Sequence, residues 1–415
     1  MKVMLSINAG SSSVKMSVYL ADKNATPRQI ADAQVTGLAA PPARLKYARH
    51  GKSVVDDNTD DEVKSKDAAF NLLLKSLVDD EELCEIGSKD SIAIACHRIV
   101  HGGSYDNSPR VIAKDTYHNL RQLADLAPLH NGAAMTMVDL CITQLPNTTN
   151  VACFDSQFHS TIPPHIFTYP IDQQIANKNR LRKYGFHGIS YAFISRSVAE
   201  FLGKGLDELN MIALHLGSGA SACAIKGGKS RDTSMGLTPL EGLPGATRSG
   251  SVDASLIFHY ASDMGKLSPA STEQLHISKA EEILNTQSGW KALTGTTDFS
   301  IVSSPDEPQH RLAFDLLVDR ICGFVGSYYV SLQGRVDALV FAGGIGEKCA
   351  KLRSAVADGA GCLGFAVDEK RNVRVGDAVV QDIGAQGTKH RLLLCRTDEQ
   401  FEMARMCAAT EDLWT

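Results

Sequence analysis

The stretch LSINAGSSSVK (residues 5–15) runs as an apolar strand into a turn of small and hydroxyl residues and returns as a second strand. The stretch IALHLGSGA (residues 212–220) has the same order of apolar strand, Gly/Ser turn and returning strand. Two such hairpins favour two related domains that each carry a phosphate-binding turn. An accidental likeness between two unrelated hairpins is the alternative, and the pattern by itself leaves both readings open.

Gly and Pro residues separate alternating strand and helix patterns along the chain, which predicts an α/β fold. Predicted strands lie at residues 2–8, 13–20, 91–99, 151–155, 211–216, 338–342 and 391–395. Predicted helices lie at residues 67–78, 115–126, 132–143, 307–332 and 398–409. The acidic run 56–62 predicts a solvated loop, and residues 343–346 predict a turn from a strand into a helix.

The composition excludes several classes of protein. Of the 415 residues, 43% are hydrophobic, which is enough for a packed core and excludes global disorder. The 42 basic and 47 acidic residues give a net charge of −5, which argues against nucleic acid or an anionic membrane as the main partner. No apolar run reaches the roughly 18 residues of a membrane span. The ten cysteines are scattered without a C-x-x-C pair, which predicts reduced thiols and a cytoplasmic protein.

Cations and carboxylates follow several predicted strands. Three segments hold a cation beside glycines: HRIVHGG (97–103), YGFHGIS (184–190) and ATRSG (246–250). Asp155 ends a predicted strand, and Glu399 opens the last predicted helix. Taken singly, a surface ion pair or a structural histidine is the commoner explanation for each residue. Taken together with the phosphate turns, they are the groups that phosphoryl transfer uses.

These residues leave the acceptor open between a carboxylate and a hydroxyl group. A carboxylate substrate is already an anion at neutral pH, so it needs no general base, and clustered cations can bring two anions together. Asp155 leaves open a kinase for a hydroxyl acceptor, because that reaction uses an Asp base.

The ordered motifs resemble the acetate kinase family from residue 3 to about residue 405. The motifs are NAGSSSVK (8–15), HRIVHGG (97–103), APLHN (127–131), KYGFHG (183–188), HLGSGAS (215–221), DTSMGLTPLEG (232–242), TRSG (247–250), GGIGE (343–347) and TDE (397–399). The resemblance implies two ribonuclease-H-like domains, with mixed sheets flanked by helices and an active-site cleft between the domains. It places the N-terminal domain at residues 1–154 plus 400–415. The C-terminal domain, with the nucleotide side and a homodimer interface, would span residues 155–399.

The resemblance also implies direct, reversible transfer of a phosphoryl group from ATP to acetate with Mg²⁺ or Mn²⁺, giving acetyl phosphate and ADP. The metal would be held by Asn8 and Glu399. The catalytic residues would be Arg98, His130, Asp155, His187 and Arg248. The apolar pocket for the acetate methyl group would be formed by Val100, Leu129, Phe186 and Pro239. The nucleotide and its phosphates would be bound by Ser11, Ser13, Lys15, His215, Gly217, Ser218, Gly219, Asp298, Phe299, Gly343, Gly344 and Ile345.

Each catalytic residue has an implied role. The two arginines would bind the acetate carboxylate and the phosphoryl group in flight. His187, with His130 in support, would stabilise the transition state, and Asp155 would orient the site.

Three residues of the nucleotide half, Ser218, Ser300 and Lys348, depart from the usual family pattern, which keeps pyrophosphate open as the donor. Propionate or butyrate stays open as the acceptor, because one methylene changes discrimination by only ~1–3 kcal/mol. A nucleotide-gated binding protein, like the chaperone ATPases or actin, is the non-enzymatic alternative. The expected partners are acetate, acetyl phosphate, ATP, ADP and a second copy of the chain, without nucleic acid or membrane.

Overall fold

The computed structural model describes residues 1–10, 12–38, 41–103, 105, 108–123, 128–260, 266–269, 271, 277–304 and 306–414, except for the side chains of residues 128–130. The chain forms two compact units, Met1–Gln157 with Asp398–Thr415, and Phe158–Thr397. By this division Asp155 and Glu399 belong to the first unit, whereas the predicted boundaries place them in the second. Both carboxylates contact Arg98 of the first unit, which explains the difference.

A mixed sheet forms the centre of the first unit. Its strands are β1 (Lys2–Ala9), β2 (Val14–Ala21), β3 (Arg28–Thr36), β4 (Ala43–Arg49), β5 (Lys52–Asp60), β6 (Ile92–Ile99), β7 (Arg110–Val111) and β8 (Thr149–Phe154). In the described residues they lie in the order β5-β4-β3-β2-β1-β6-β8-β7. The helices of this unit are α1 (Lys66–Val78), α2 (Lys114–Leu123), α3 (Pro128–Gln144) and α15 (Glu399–Ala408).

Strand β1 shows how the sequence positions these helices. Its side chains alternate between the two faces of the sheet, as in any strand. Leu5 and Ile7 belong to the core that α1 and α3 cover, whereas the hydroxyl of Ser6 donates to the carbonyl of Gln400 in α15. The helix that begins with Glu399 therefore lies on the opposite face from α1 and α3.

Most of the acidic run that was predicted as a loop belongs to β5, so this prediction was wrong. β5 pairs with β4 at the edge of the sheet, and most of its residues are exposed. Charged side chains suit such an edge because they keep it solvated and hinder pairing with another chain. The charge pattern indicated exposure correctly, and the pairing with β4 decided the strand.

A second mixed sheet forms the centre of the second unit. Its strands are β9 (Asn210–Leu216), β10 (Ala220–Lys226), β11 (Lys229–Thr233), β12 (Ala338–Ala342), β13 (Val380–Asp382) and β14 (Arg391–Cys395). They lie in the order β11-β10-β9-β12-β14-β13. The helices are α4 (Pro164–Phe167), α5 (Gln173–Asn179), α6 (Gly188–Leu202), α7 (Leu256–Tyr260), α8 (Lys279–Thr286), α9 (Gly289–Thr294), α10 (Phe299–Val302), α11 (Pro308–Ser331), α12 (Gly343–Lys348), α13 (Ala350–Gly359) and α14 (Glu369–Val373).

The start of α12 and the character of the described helices bear on two predictions. Helix α12 begins at Gly343 itself, where a turn was predicted. Among the helices that the structure describes, none combines the length and the apolar character needed to cross a bilayer.

The two sheets share one topology. In the first unit, β3-β2-β1 are antiparallel neighbours, and β6 and β8 then add in parallel beyond β1. In the second unit, β11-β10-β9 are antiparallel, and β12 and β14 add in parallel beyond β9. The two similar stretches of sequence thus form the equivalent hairpin of each unit, and the predicted α/β fold with two mixed sheets is confirmed.

Candidate active site

Three polar side chains mark the ends of neighbouring strands in the first sheet. Asn8 lies at the end of β1, Arg98 at the end of β6, and Asp155 directly after β8. Because β6 runs parallel to both β1 and β8, these ends meet at one edge of the sheet, where α/β proteins bind ligands. Glu399, at the start of α15, joins them. The set of Asn8, Arg98, Asp155 and Glu399 is called the Arg98 cluster below.

Two carboxylates hold the guanidinium of Arg98. Its Nη2 and Nε donate to Asp155 Oδ2 over 2.7 and 3.1 Å, and its Nη1 lies 3.0 Å from Glu399 Oε2. Asn8 Nδ2 donates to Glu399 Oε2 over 2.9 Å, and Asn8 Oδ1 accepts from Arg98 Nη1 over 3.4 Å. In the described part of the chain, the second N–H of Arg98 Nη2 has no acceptor, so one donor remains for a ligand.

The guanidinium of Arg98 is partly buried and fixed in orientation. The side chain of Asp155 is 1% exposed and that of Arg98 is 19% exposed. Burial opposes the charge on the guanidinium, but the carboxylates of Asp155 and Glu399 outweigh it and hold the pKa of Arg98 above its ordinary value. Arg98 therefore stays protonated in a set orientation. Its charge is more than balanced by the two carboxylates, so an anionic ligand would be met by the remaining N–H of Arg98 together with a divalent cation bound at the carboxylate of Glu399.

The oxygen atoms of the Arg98 cluster suit a divalent cation whose other ligands are nucleotide phosphates and water. Within the described residues, no group of three or more His, Cys, Asp or Glu side chains is arranged to hold a metal. Asn8 and Glu399 offer one amide and one carboxylate oxygen, and Glu399 is 14% exposed. Mg²⁺ takes one or two carboxylates and completes its shell with phosphates and water, so these residues fit a metal bound to a nucleotide.

The predicted phosphate turn of the first unit joins β1 to β2. The N–H of Gly10 donates to the carbonyl of Ser13 over 2.9 Å, which closes the turn. Lys15 lies directly opposite Asn8 in the antiparallel register of these strands. The turn and its lysine are thus one strand away from the Arg98 cluster.

Two histidines near Arg98 have local hydrogen-bond partners. His97 Nε2 lies 2.8 Å from Asn150 Oδ1, and burial lowers the pKa of His97 to about 4, so its ring is neutral near pH 7. The side chain of Asn131 accepts from the N–H of His101 and donates to its carbonyl. The ring of His101 also has a local contact, because its Nδ1 accepts from the N–H of Gly103 over 3.1 Å. The ring contacts of His97 and His101 agree with structural histidines.

His187 and His215 form a stacked pair in the second unit. Their ring centroids are 4.2 Å apart, and His187 immediately precedes α6. His187 has φ +59°, a conformation that is uncommon for a non-glycine residue and that clusters at functional sites. His187 Nδ1 lies 2.8 Å from Ser221 Oγ, and His215 Nδ1 lies 2.7 Å from Ser190 Oγ. Both rings are held through Nδ1, which fixes their orientation.

Arg248 lies against the glycine turn that follows β9. Its Nη1 donates to the carbonyl of Pro239 over 3.0 Å, and a Cβ at position 219 would lie 2.7 Å from its Nη2. The N–H of Ala246 donates to the carbonyl of Ser218 over 2.8 Å and ties the same loop to the turn. A side chain at position 219 would therefore displace the guanidinium from this position.

The two glycine segments of the nucleotide half lie side by side. Strands β9 and β12 are parallel neighbours with Ala342 opposite His215, so the turn 217–219 and α12 leave the same edge of the sheet. Gly343 has φ +75°, and a Cβ there would lie 2.7 Å from the carbonyl oxygen of Leu216. By contrast, no described atom lies within 4 Å of a Cβ at Gly344. The backbone at Gly344 is thus open to a ligand.

The residues predicted to line the acetate pocket differ in exposure. Val100 follows β6 and is half-buried, whereas Phe186 and Pro239 are buried. Three other predicted residues lie outside what the structure describes: the whole of Ser11 and the side chains of Leu129 and His130. Their roles stay predictions.

Phe299 and Asp298 have local structural roles. The ring of Phe299 lies 5.3 Å from that of Trp290 in the core of the second unit, and the residue is 7% exposed. Asp298 caps α10 by accepting from the N–H and the hydroxyl of Ser300, which lowers the pKa of Asp298. A nucleotide contact for either residue, and for the half-buried Ile345, stays a prediction.

Arg353 fixes the end of α12 and is not among the residues predicted from the sequence. Its side chain is buried, and its Nη1 donates to the carbonyls of Gly346 and Glu347 over 2.8 Å each. Its Nε donates to Asn372 Oδ1 over 2.7 Å. No local signal marks this residue, because an arginine is usually exposed and Asn372 reaches it only in the folded chain.

Comparison with known proteins gives a whole-length match. The model of the acetokinase family matches residues 3–405. A protein of Chaetomium globosum named "Probable acetate kinase" is 59% identical and covers 99% of both chains. A protein of the same name from Neurospora crassa is 58% identical over 100% of this chain and 95% of its own.

Two solved structures are similar to this one. A propionate kinase from Francisella tularensis has 31% identity and a TM-score of 0.83, covering 98% of this chain and 99% of its own. An acetate kinase from Porphyromonas gingivalis has 31% identity and a TM-score of 0.79, covering 97% and 98%.

Proposed function

Because this chain belongs to the acetokinase family, a family of phosphotransferases that act on a carboxyl group, we propose that it transfers a phosphoryl group reversibly between ATP and acetate. The structural observation that best supports the proposal is the Arg98 cluster. It holds the permanently charged guanidinium of Arg98 at a strand end, with one N–H directed to no described acceptor. That N–H and a divalent cation held by Asn8 and Glu399 would together bring the two anions of the reaction close.

Two arginines would supply cations to the reaction. Arg98 in the first unit and Arg248 in the second would neutralise the acetate carboxylate and the phosphoryl oxygens. His187 would donate a hydrogen bond to the phosphoryl group as charge builds up in the transition state. No proton has to be removed from acetate, so Asp155 would orient Arg98 and would not act as a base.

Asn8 and Glu399 would hold the divalent cation, Mg²⁺ or Mn²⁺. When bound, the metal would neutralise charge on the nucleotide phosphates. The adjacent glycine segments after β9 and β12 would bind the nucleotide, because backbone without side chains lets phosphates and a flat base approach closely. We also propose a cytoplasmic homodimer, which light scattering on the purified protein and localisation of the tagged protein would test.

The direct test is a hydroxylamine trapping assay for acyl phosphate. Acetate, propionate and butyrate are each offered with ATP and with pyrophosphate. Acetyl phosphate formed with ATP is the expected main product. The similarity to a propionate kinase structure favours propionate as the second acceptor. Product with pyrophosphate and none with ATP would contradict the nucleotide part of the proposal and leave the acetate part standing.

Val100→Ala is expected to shift the acceptor preference toward propionate. If Val100 contacts the acetate methyl group, the smaller side chain loses contact worth about 1 kcal/mol for acetate and makes room for one more methylene. The kcat/KM ratio of propionate to acetate should rise about fivefold or more. Val55→Ala is the matched control, because Val55 is also partly buried but lies in β5. An unchanged ratio in Val100→Ala would restrict Val100 to core packing.

Gly344→Gln is expected to raise the KM for ATP at least about tenfold and to change the KM for acetate less than about twofold. The new side chain would fill the open space at position 344, and no backbone strain opposes it, since Gly344 does not have a positive φ. Gly361→Gln is the control, because that glycine also faces open space but lies outside both nucleotide segments. Equal KM values for ATP in the variant and the wild type would remove this segment from the nucleotide site.

A further inference from the structure

A buried chain of hydrogen bonds ends at His187. The phenol oxygen of Tyr191 lies 2.6 Å from Ser221 Oγ, and Ser221 Oγ lies 2.8 Å from His187 Nδ1. Tyr191 in α6 and Ser221 in β10 are both 0% exposed, and His187 is 8% exposed. Water therefore does not reach the two hydroxyl groups, and their protons need acceptors within the protein.

The direction of each hydrogen bond follows from a count of protons. Each hydroxyl group carries one proton. Among the described residues, Ser221 Oγ is the one acceptor within reach of the Tyr191 hydroxyl, so the phenol donates to the serine. Ser221 then directs its own proton to His187 Nδ1. If His187 Nδ1 donated instead, one buried hydroxyl proton would have no acceptor, which is unfavourable.

We propose that Tyr191 is a positioning residue that acts through Ser221 to hold His187 in one tautomer, unprotonated at Nδ1 and protonated at Nε2. This inference rests on the proposed function, in which His187 donates to the transferred phosphoryl group. The Nε2–H bond is then a ready donor to an anionic oxygen. The other tautomer would present a lone pair to that anion and repel it.

The neighbouring ring completes the arrangement. His215 stacks on His187 at 4.2 Å and is itself tied to Ser190, so the plane of His187 is fixed while the hydroxyl chain fixes its protonation. A donor set in place before substrate binds does not have to reorganise in the transition state, which is how such groups lower a barrier. A partner behind a functional histidine controls its tautomer in the same way elsewhere.

Tyr191→Phe tests the proposal because it removes one oxygen and keeps the ring in the core. In the variant, a water molecule can take the place of the phenol oxygen. Because water both donates and accepts, Ser221 can then either donate to Nδ1 or accept from it, so both tautomers become available. ¹⁵N NMR on histidine-labelled protein without substrate is expected to show His187 protonated at Nε2 in the wild type and a mixture in the variant. The kcat is expected to fall about tenfold with KM values changed less than about twofold.

Tyr328→Phe is the matched control. Tyr328 is also a buried tyrosine of the second unit, and in the described residues its hydroxyl has no hydrogen-bond partner. The tautomer of His187 and the kcat should both stay at wild-type values. Ser221→Ala is the second variant, and it should release the tautomer as Tyr191→Phe does, even if one of the two fails to fold.

The outcomes separate this inference from the proposed function. A single Nε2-protonated tautomer in folded Tyr191→Phe and Ser221→Ala would overturn the role of the hydroxyl chain. A mixture of tautomers with wild-type kcat would support the chain and instead overturn the catalytic role of His187.

Discussion

Arg98→Lys is expected to lower kcat at least about 100-fold while the protein stays folded. Lysine keeps a positive charge beside Asp155 and Glu399, so the two carboxylates are not left without a cation. It cannot reproduce the planar fork that reaches Asp155 through Nε and Nη2 and leaves a further N–H for the substrates. Loss of one donor to the transition state costs about 100- to 1,000-fold in kcat. Steady-state kinetics with ATP and acetate measure the effect.

The matched control is Arg49→Lys. Arg49 in β4 also contacts two carboxylates, Asp80 and Glu82, and its side chain is 17% exposed, close to the 19% of Arg98. Its kcat should stay within about twofold of the wild type. Near-wild-type turnover in Arg98→Lys would contradict the assignment of the Arg98 cluster as part of the active site.

Arg98→Ala should lose stability as well as the donor to the substrates. The carboxylate of Asp155 is 1% exposed, and removal of the Arg98 guanidinium would break its buried ion pair. Breaking a buried ion pair in this way costs about 3–5 kcal/mol of stability. The midpoint of thermal unfolding should therefore fall clearly in Arg98→Ala and only slightly in Arg98→Lys, which shows why lysine is the better probe of catalysis.

Arg248→Ala is expected to lower kcat by at least about 100-fold as well, because the second unit would lose the cation proposed to meet the phosphoryl group. Arg311→Ala provides the control, since the Arg311 side chain is 73% exposed on α11. Gly219→Ala is an independent test of the position of the Arg248 guanidinium. Its Cβ would lie 2.7 Å from Arg248 Nη2, so it would displace the guanidinium without removing its charge. We expect a loss of about tenfold in kcat. Full activity in Arg248→Ala would exclude a role for this arginine in the reaction.

Local patterns predicted the elements that carry the site. Strands 338–342 and 391–395 have the predicted bounds, and the helix predicted at 398–409 is α15 with bounds one residue shorter at each end. These predictions succeeded because apolar runs, glycines and helix caps act over a few residues. The prediction of a loop at the acidic run was wrong because the outcome there is not local. A neighbouring strand decides whether an exposed polar segment pairs.

Contacts between residues that are distant in the chain could not be predicted from the sequence. Asn8 and Glu399 are separated by 391 positions and share a hydrogen bond of 2.9 Å. Phe299 is one of the predicted nucleotide residues, and the sequence did not indicate that its ring lies in the core beside Trp290. The family resemblance selected Asn8 and Glu399 as a pair, but no pattern in the sequence indicated that both would hold Arg98.

The sequence by itself determined the two hairpins, the order of strands and helices, and the positions of the glycine turns. Those features depend on backbone conformation and on neighbours within a few positions. The tertiary structure alone decided that Asp155 and Glu399 belong to the first unit and fix Arg98, and that Tyr191 reaches His187 through Ser221. Such contacts depend on strand register and on which helix covers which face, and these are settled when the whole core packs.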